Sequence, residues 1–272
     1  MLSEGWPIVR IGIPYVLAAV AGAMATGEVF SYLNDTGEVG LYRAGMGLMM
    51  ATGAVILKAA EADFFPRLSS VNHDMVRLNH AINQQVDVCV LLVAPVLIPL
   101  VMFMPVVVRI LWTDEFMPVS GMVVCGAFYI FLRSITTPIA YTALAKADSW
   151  LYFIMELLYD IVLVLLLRWG YSHMGLLGAG WALSAISLFD LLLIGTVYGL
   201  YYRVRLRIST IRLILPQTLM LAIVVAVSLS GMPPLYRYPV GICVWFFSSW
   251  FSLRKMSVGM PILQRLRDKL GL

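Results

Sequence analysis

Eight apolar runs, each near the length that crosses a bilayer, follow one another along this chain. They lie at about residues 7–33, 38–60, 86–112, 117–143, 150–169, 175–201, 211–230 and 238–253. A hydrocarbon core takes about 20 residues of helix, and inside it every backbone polar group must be paired within the protein. Short polar turns separate several of the runs: Asn34-Asp35-Thr36-Gly37, Thr113-Asp114-Glu115 and Gly231-Met232-Pro233-Pro234. The alternating ten-residue segments of a membrane β-barrel are absent. The pattern predicts an all-α fold, a polytopic transmembrane helix bundle of about eight helices. Composition agrees: 12% of the 272 residues are charged, about half the share that keeps a soluble domain wet. No stretch is long and polar enough to form a separate soluble domain.

The first run, from about Pro7 to Leu33, exceeds the roughly 7–15 residues of a signal-peptide core and is expected to stay as the first helix. Loop charge then sets orientation. With the amino terminus inside, the cytoplasmic face collects fifteen basic residues, with dense clusters at Arg203, Arg205, Arg207 and Arg212 and at Arg254 and Lys255; the outside receives four, Arg43, Arg109, Arg168 and Arg237. The positive-inside rule therefore predicts that both termini are cytoplasmic. Anionic headgroups account for the net charge of +4, so no nucleic-acid partner is implied.

Two further segments read as amphipathic helices on the inner surface rather than spans. From Leu68 to Ile82, apolar Leu68, Val71, Met75, Leu78 and Ile82 recur at three- and four-residue steps among polar residues. Pro261 opens a second one, with Ile262, Leu263, Leu266 and Leu270 set against Arg265, Arg267 and Lys269.

Ionisable groups at membrane depth are costly, so each is a functional candidate. Glu156 and Asp160 are one turn apart on the fifth run, and Asp190 on the sixth reaches a similar depth. Arg133 on the fourth is the cation that could meet them. It could pair with these acids structurally, or face a wet cavity and hold an anionic substrate group, since guanidinium matches phosphate geometry. The acids could equally exchange a proton or sodium ion. Near the outer face, Glu28 and Arg43 could pair across the first hairpin. Pro95, Pro105 and Pro138 interrupt helices, as at many transporter sites.

The chain carries no phosphate-binding Walker loop, no nucleophile elbow and no histidine pair at metal spacing. We therefore expect no enzyme activity, no cofactor and no metal. Cys89, Cys125 and Cys243 fall in apolar runs without paired spacing and read as small buried apolar residues.

Four stretches carry a family resemblance: Gly12-Ile13-Pro14, Gly37-Glu38-Val39-Gly40-Leu41-Tyr42-Arg43-Ala44-Gly45, Ala62-Asp63-Phe64-Phe65-Pro66-Arg67-Leu68-Ser69, and Ile110-Leu111-Trp112-Thr113-Asp114-Glu115-Phe116. In order and spacing, over about residues 5–200, they resemble the second half of the multidrug/oligosaccharidyl-lipid/polysaccharide exporters. In particular, they resemble the O-antigen (Wzx-type) flippase and polysaccharide-transporter branch. That resemblance implies a six-helix lobe over 1–205, followed over 206–272 by two additional helices and a basic tail. It implies a bacterial inner-membrane protein that flips undecaprenyl-diphosphate-linked oligosaccharide during surface polysaccharide synthesis. Family members enclose their cavity between two lobes, so this chain is expected to act as half of a transporter, with an amino-terminal lobe or by self-association. By position, Arg133 and Arg43 are the candidates to face diphosphate or sugar. Glu156, Asp160, Asp190 and Glu28 are the candidates for a coupling site or structural ion pairs. A cation-coupled drug antiporter lobe of the same superfamily, or a non-transporting membrane scaffold, are the alternatives.

Overall fold

The computed structural model describes residues 2–33 and 36–259. The helices are α1 (Leu2–Tyr32), α2 (Thr36–Ser70), α3 (Met75–Met102), α4 (Met104–Leu111), α5 (Met117–Cys125), α6 (Ala127–Ala145), α7 (Ser149–Tyr201), α8 (Ile208–Leu229) and α9 (Pro234–Gly259), with a 3-10 turn at Asp114–Phe116. The described residues contain no strand, and the fold is a helical membrane bundle. Gly12–Tyr32, Met75–Met102, Ser149–Tyr201 and Ile208–Leu229 are each long and apolar enough to cross a bilayer, as is the bent pair of α5 and α6 taken together. Residues Asn34 and Asp35 of the first turn, and the amphipathic tail that begins at Pro261, lie outside the described residues.

Buried α3 is the hub. Helices α2, α6, α8 and α9 pack on it, while α1 rests on α7 and α7 packs against α5 and α6. The core is correspondingly dense around Leu97, Ile98, Met102, Met122 and Phe131, all fully buried. Cys89 and Cys125 are buried as expected, whereas Cys243 is exposed on α9.

The expected inner-surface helix over Leu68–Ile82 does not exist as a unit. Leu68 lies in the last turn of α2, residues 71–73 turn, and Met75–Ile82 form the first two turns of α3. Asp74 caps α3 by accepting from Val76 N at 2.9 Å and Arg77 N at 3.2 Å. The polar residues that suggested a wet face are partly spoken for: Asn79 and Asn83, one turn apart, clasp the extended segment after α7. Asn79 Oδ1 accepts from Arg205 N at 2.9 Å and its Nδ2 donates to Arg203 O at 3.3 Å. Asn83 Oδ1 accepts from Arg207 N at 2.7 Å and its Nδ2 donates to Arg205 O at 2.9 Å. A helical turn of about 5.4 Å roughly matches two residues of extended chain, about 6.6 Å, so the two amides imitate a neighbouring strand.

Helix breaks are repaired by side chains from neighbours. The run expected over 86–112 breaks at Phe103, with Pro105 in the first turn of α4. Pro99 has no N–H, which deprives the carbonyl of Pro95 of its helical donor; Trp245 Nε1 on α9 donates to that oxygen at 3.0 Å. Arg237 Nη2 donates to Met102 O at 3.2 Å, at the same break. The run expected over 117–143 bends at Gly126, by 43°, and Ser184 Oγ donates to Cys125 O at 2.6 Å.

No loop separates the runs expected over 150–169 and 175–201. Helix continues to the reversal at Gly175, whose φ of 57° and ψ of −137° no L side chain adopts comfortably. Beyond it the arms of α7 run close together: a methyl group on Gly178 would collide with the carbonyl of Gly170.

Candidate functional site

Three helical faces converge on one cavity. From α6 come Arg133, Thr136, Thr137, Ala140 and Tyr141, at three- and four-residue steps. The first arm of α7 presents Tyr152, Met155, Glu156 and Tyr159; the second presents Asp190, Ile194 and Tyr198. These spacings each describe one stripe of a helix, which is why residues so far apart in sequence line a common space. The cavity is about 110 Å³. At about 30 Å³ per water molecule it has room for about three, well below the 300 Å³ and more of a typical small-molecule pocket.

Arg133 donates from Nη1 to Tyr129 Oη at 3.1 Å and to Tyr159 Oη at 3.3 Å. Its Cζ lies 5.6 Å and 5.4 Å from the centroids of the same two rings. The guanidinium is thus held by two neutral hydroxyls and two π faces. Among the described residues no carboxylate approaches it within 4 Å; the ion pairs present are the exposed Arg77–Asp74 at 3.2 Å and Arg109–Asp114 at 3.5 Å. Glu156 and Asp190 share its cavity without closing a salt bridge on it.

Asp160, a turn beyond Glu156, faces elsewhere. It is buried at 9% exposure beside α1, where a methyl on Gly22 would lie 3.7 Å from its Oδ2. That Oδ2 has no hydrogen-bond partner, an expensive condition for a carboxylate at membrane depth.

At the opposite end of the bundle, Glu28 lines a second cleft of about 320 Å³ with Tyr32, Tyr42, Arg168 and Tyr171. Arg168 Cζ sits 5.3 Å over the Tyr32 ring, and Tyr32 meets Tyr171 edge-on at 6.1 Å. Arg43 is not bonded to Glu28; its guanidinium stacks on Phe30, 4.3 Å from the ring centroid. The structure places Arg133, Glu156 and Asp190 on one cavity with Asp160 outside its lining, and adds tyrosines that were not among the sequence candidates. The available signal was spacing: Tyr129 is four residues before Arg133, and Tyr152 and Tyr159 flank Glu156 on its own stripe.

Comparison with known proteins bears on this architecture. The model of the family described as "Polysaccharide biosynthesis protein" matches residues 13–121. The solved structure of "Lipid II flippase MurJ, inward closed conformation" superposes on 93% of this chain with a TM-score of 0.68 and 14% sequence identity. The family match covers 109 of the 272 residues, and the structural match shows a shared fold. The chain spans 56% of the length of that flippase structure. No curated protein matches the sequence significantly. At this identity the structural likeness speaks to the fold, and the fold it indicates is the multi-pass helical bundle described above.

Proposed function

We propose that this chain forms one lobe of a transporter that flips a lipid-linked oligosaccharide across the bacterial inner membrane, without catalysing a reaction on it. The observation that carries the reading is the match of residues 13–121 to a polysaccharide-biosynthesis family on a bundle with the fold of a lipid II flippase. Of the substrates such a machine could move, an undecaprenyl-diphosphate-linked oligosaccharide fits the resemblance in the motifs from Gly12 to Phe116.

The two cavities divide the work by size. Space of about 110 Å³ around Arg133, Glu156 and Asp190 suits waters or one small cation, so we assign it the coupling role; Asp160, with an unpartnered oxygen, is buried one helical turn beyond Glu156, outside that space. Neutralising the acids by proton or cation would change the balance with Arg133, and so bias how the arms of α7 sit against α6. Arg133 reaches a diphosphate only if this space opens. The cleft of about 320 Å³ at the other end, with its tyrosines, Glu28 and Arg168, is large enough for part of a sugar, and Arg43 stands near it.

The lobe works with a second lobe, carried on the same polypeptide, on another, or on a second copy. Complementation tests this in cells lacking their own oligosaccharide flippase. The 272-residue chain should restore export when supplied with an amino-terminal flippase lobe or when it self-associates. Export by a demonstrated monomer would overturn the half-transporter assignment; failure in every pairing, with the protein folded in the membrane, would overturn the function.

A further inference from the structure

A pocket of about 370 Å³ lies at the end of the bundle where α2 stops, α3 starts and α8 starts. Arg67 from α2, Arg77 and His80 from α3, and Arg207 just before α8 stand around it, with apolar Val71 and Val76 between them. The arrangement is built rather than incidental. Arg77 and His80 share one stripe of α3, and Arg207 is held beside that stripe because its own N–H donates to Asn83 Oδ1 at 2.7 Å. Two carboxylates are nearby against the three arginines: Asp74 is engaged by Arg77 Nε at 3.2 Å and by the first amides of α3, and Asp87 lies within electrostatic reach of Arg207, beside Thr210. The pocket therefore keeps a surplus of positive charge. Val76 stands 77% exposed among these arginines, an apolar surface directly beside concentrated charge.

Cations around an apolar floor, at the end of membrane helices, fit one ligand chemistry: a phosphate joined to hydrocarbon. We propose that this pocket holds the phosphate of an anionic phospholipid headgroup, with the acyl chains running down α2 and α3. Arginine suits the task because its planar fork grips phosphate oxygens in pairs. The site is separate from both cavities assigned to transport, and it stands or falls independently of what the protein moves.

The test uses the purified full chain in nanodiscs of mixed phosphatidylglycerol and phosphatidylcholine, with retained lipids counted by native mass spectrometry after extraction. Wild type should retain phosphatidylglycerol preferentially. The variant R67Q/R77Q/R207Q should lose about a hundredfold in apparent affinity, at about fivefold per arginine. A charge-matched variant, R109Q/R254Q/K255Q, should keep it. Glycerol phosphate without acyl chains should compete weakly, which separates a lipid site from a plain phosphate site. Equal retention of the two lipids by wild type, or equal loss in the charge-matched variant, would overturn the proposal. Competition by glycerol phosphate as strong as by the lipid would reassign the pocket to a soluble phosphate and overturn it as a lipid site. Thermal unfolding of each variant in detergent ensures that only folded protein is compared.

Discussion

Arg133 shows how a charge survives at membrane depth without a salt bridge. Two tyrosine hydroxyls accept from it and two rings face it, while Glu156 and Asp190 line the same cavity without a salt bridge to it. R133Q should therefore destabilise the protein by about 1–3 kcal/mol, the usual cost of stranding buried partners. Adding E156Q should recover at least half of that loss, because the acid then no longer needs the cation. A double-mutant cycle on thermal stability in detergent measures this coupling; a coupling below about 0.5 kcal/mol would mean that the two groups do not sense each other. Arg133, Glu156 and Asp190 were legible as candidates in the bare sequence because ionisable residues in apolar runs are conspicuous. Their hydroxyl partners were not, because tyrosine is at home in a membrane helix whether or not its hydroxyl has work to do.

At the scale of elements, this bundle is joined by side chains that complete broken backbone. Trp245 answers the carbonyl that Pro99 orphans, Ser184 answers the bend at Gly126, and Asn79 and Asn83 clasp the segment from Arg203 to Arg207. Each such bond ties a helix to another segment at a place where water would otherwise be needed. The clasp offers the clearest test. Asn83 is 2% exposed, so N83A strands the amide of Arg207 and the carbonyl of Arg205, and should cost about 2–4 kcal/mol. Hydrogen exchange at residues 205–208 should quicken at the same time. Unchanged exchange with lowered stability would show that the loss comes from packing alone. The clasp also explains why periodicity misread Leu68–Ile82: polar residues on a helix look alike whether they face solvent or hold another segment's backbone.

For the whole molecule, the bonds at one end decide which loops sit together. Lys146 Nζ donates to Asn72 O at 2.8 Å, Asn72 Nδ2 to Ala145 O at 2.9 Å, and Tyr202 Oη to Asp148 Oδ2 at 2.8 Å. The α2–α3, α6–α7 and α7–α8 junctions, with the basic cluster from Arg203 to Arg212, therefore share one end. By the positive-inside rule we expect that end to be cytoplasmic. A reporter inserted between Arg205 and Arg207, and one fused after Leu272, should read cytoplasmic, and one in the 231–236 turn should read periplasmic. A periplasmic signal from the carboxyl terminus would overturn the count of about eight spans. Helical class, membrane residence and the approximate place of most long apolar helices followed from the sequence alone, because the lipid solvent forces apolar length and internal backbone pairing on any chain that enters it. Tertiary structure alone decided where helices break, that α7 reverses at Gly175 without a loop, which way Asp160 points, and that Arg133 is held by tyrosines. Those outcomes depend on orphaned carbonyls and small residues meeting partners on other helices, and periodicity along one segment carries no record of what packs against it.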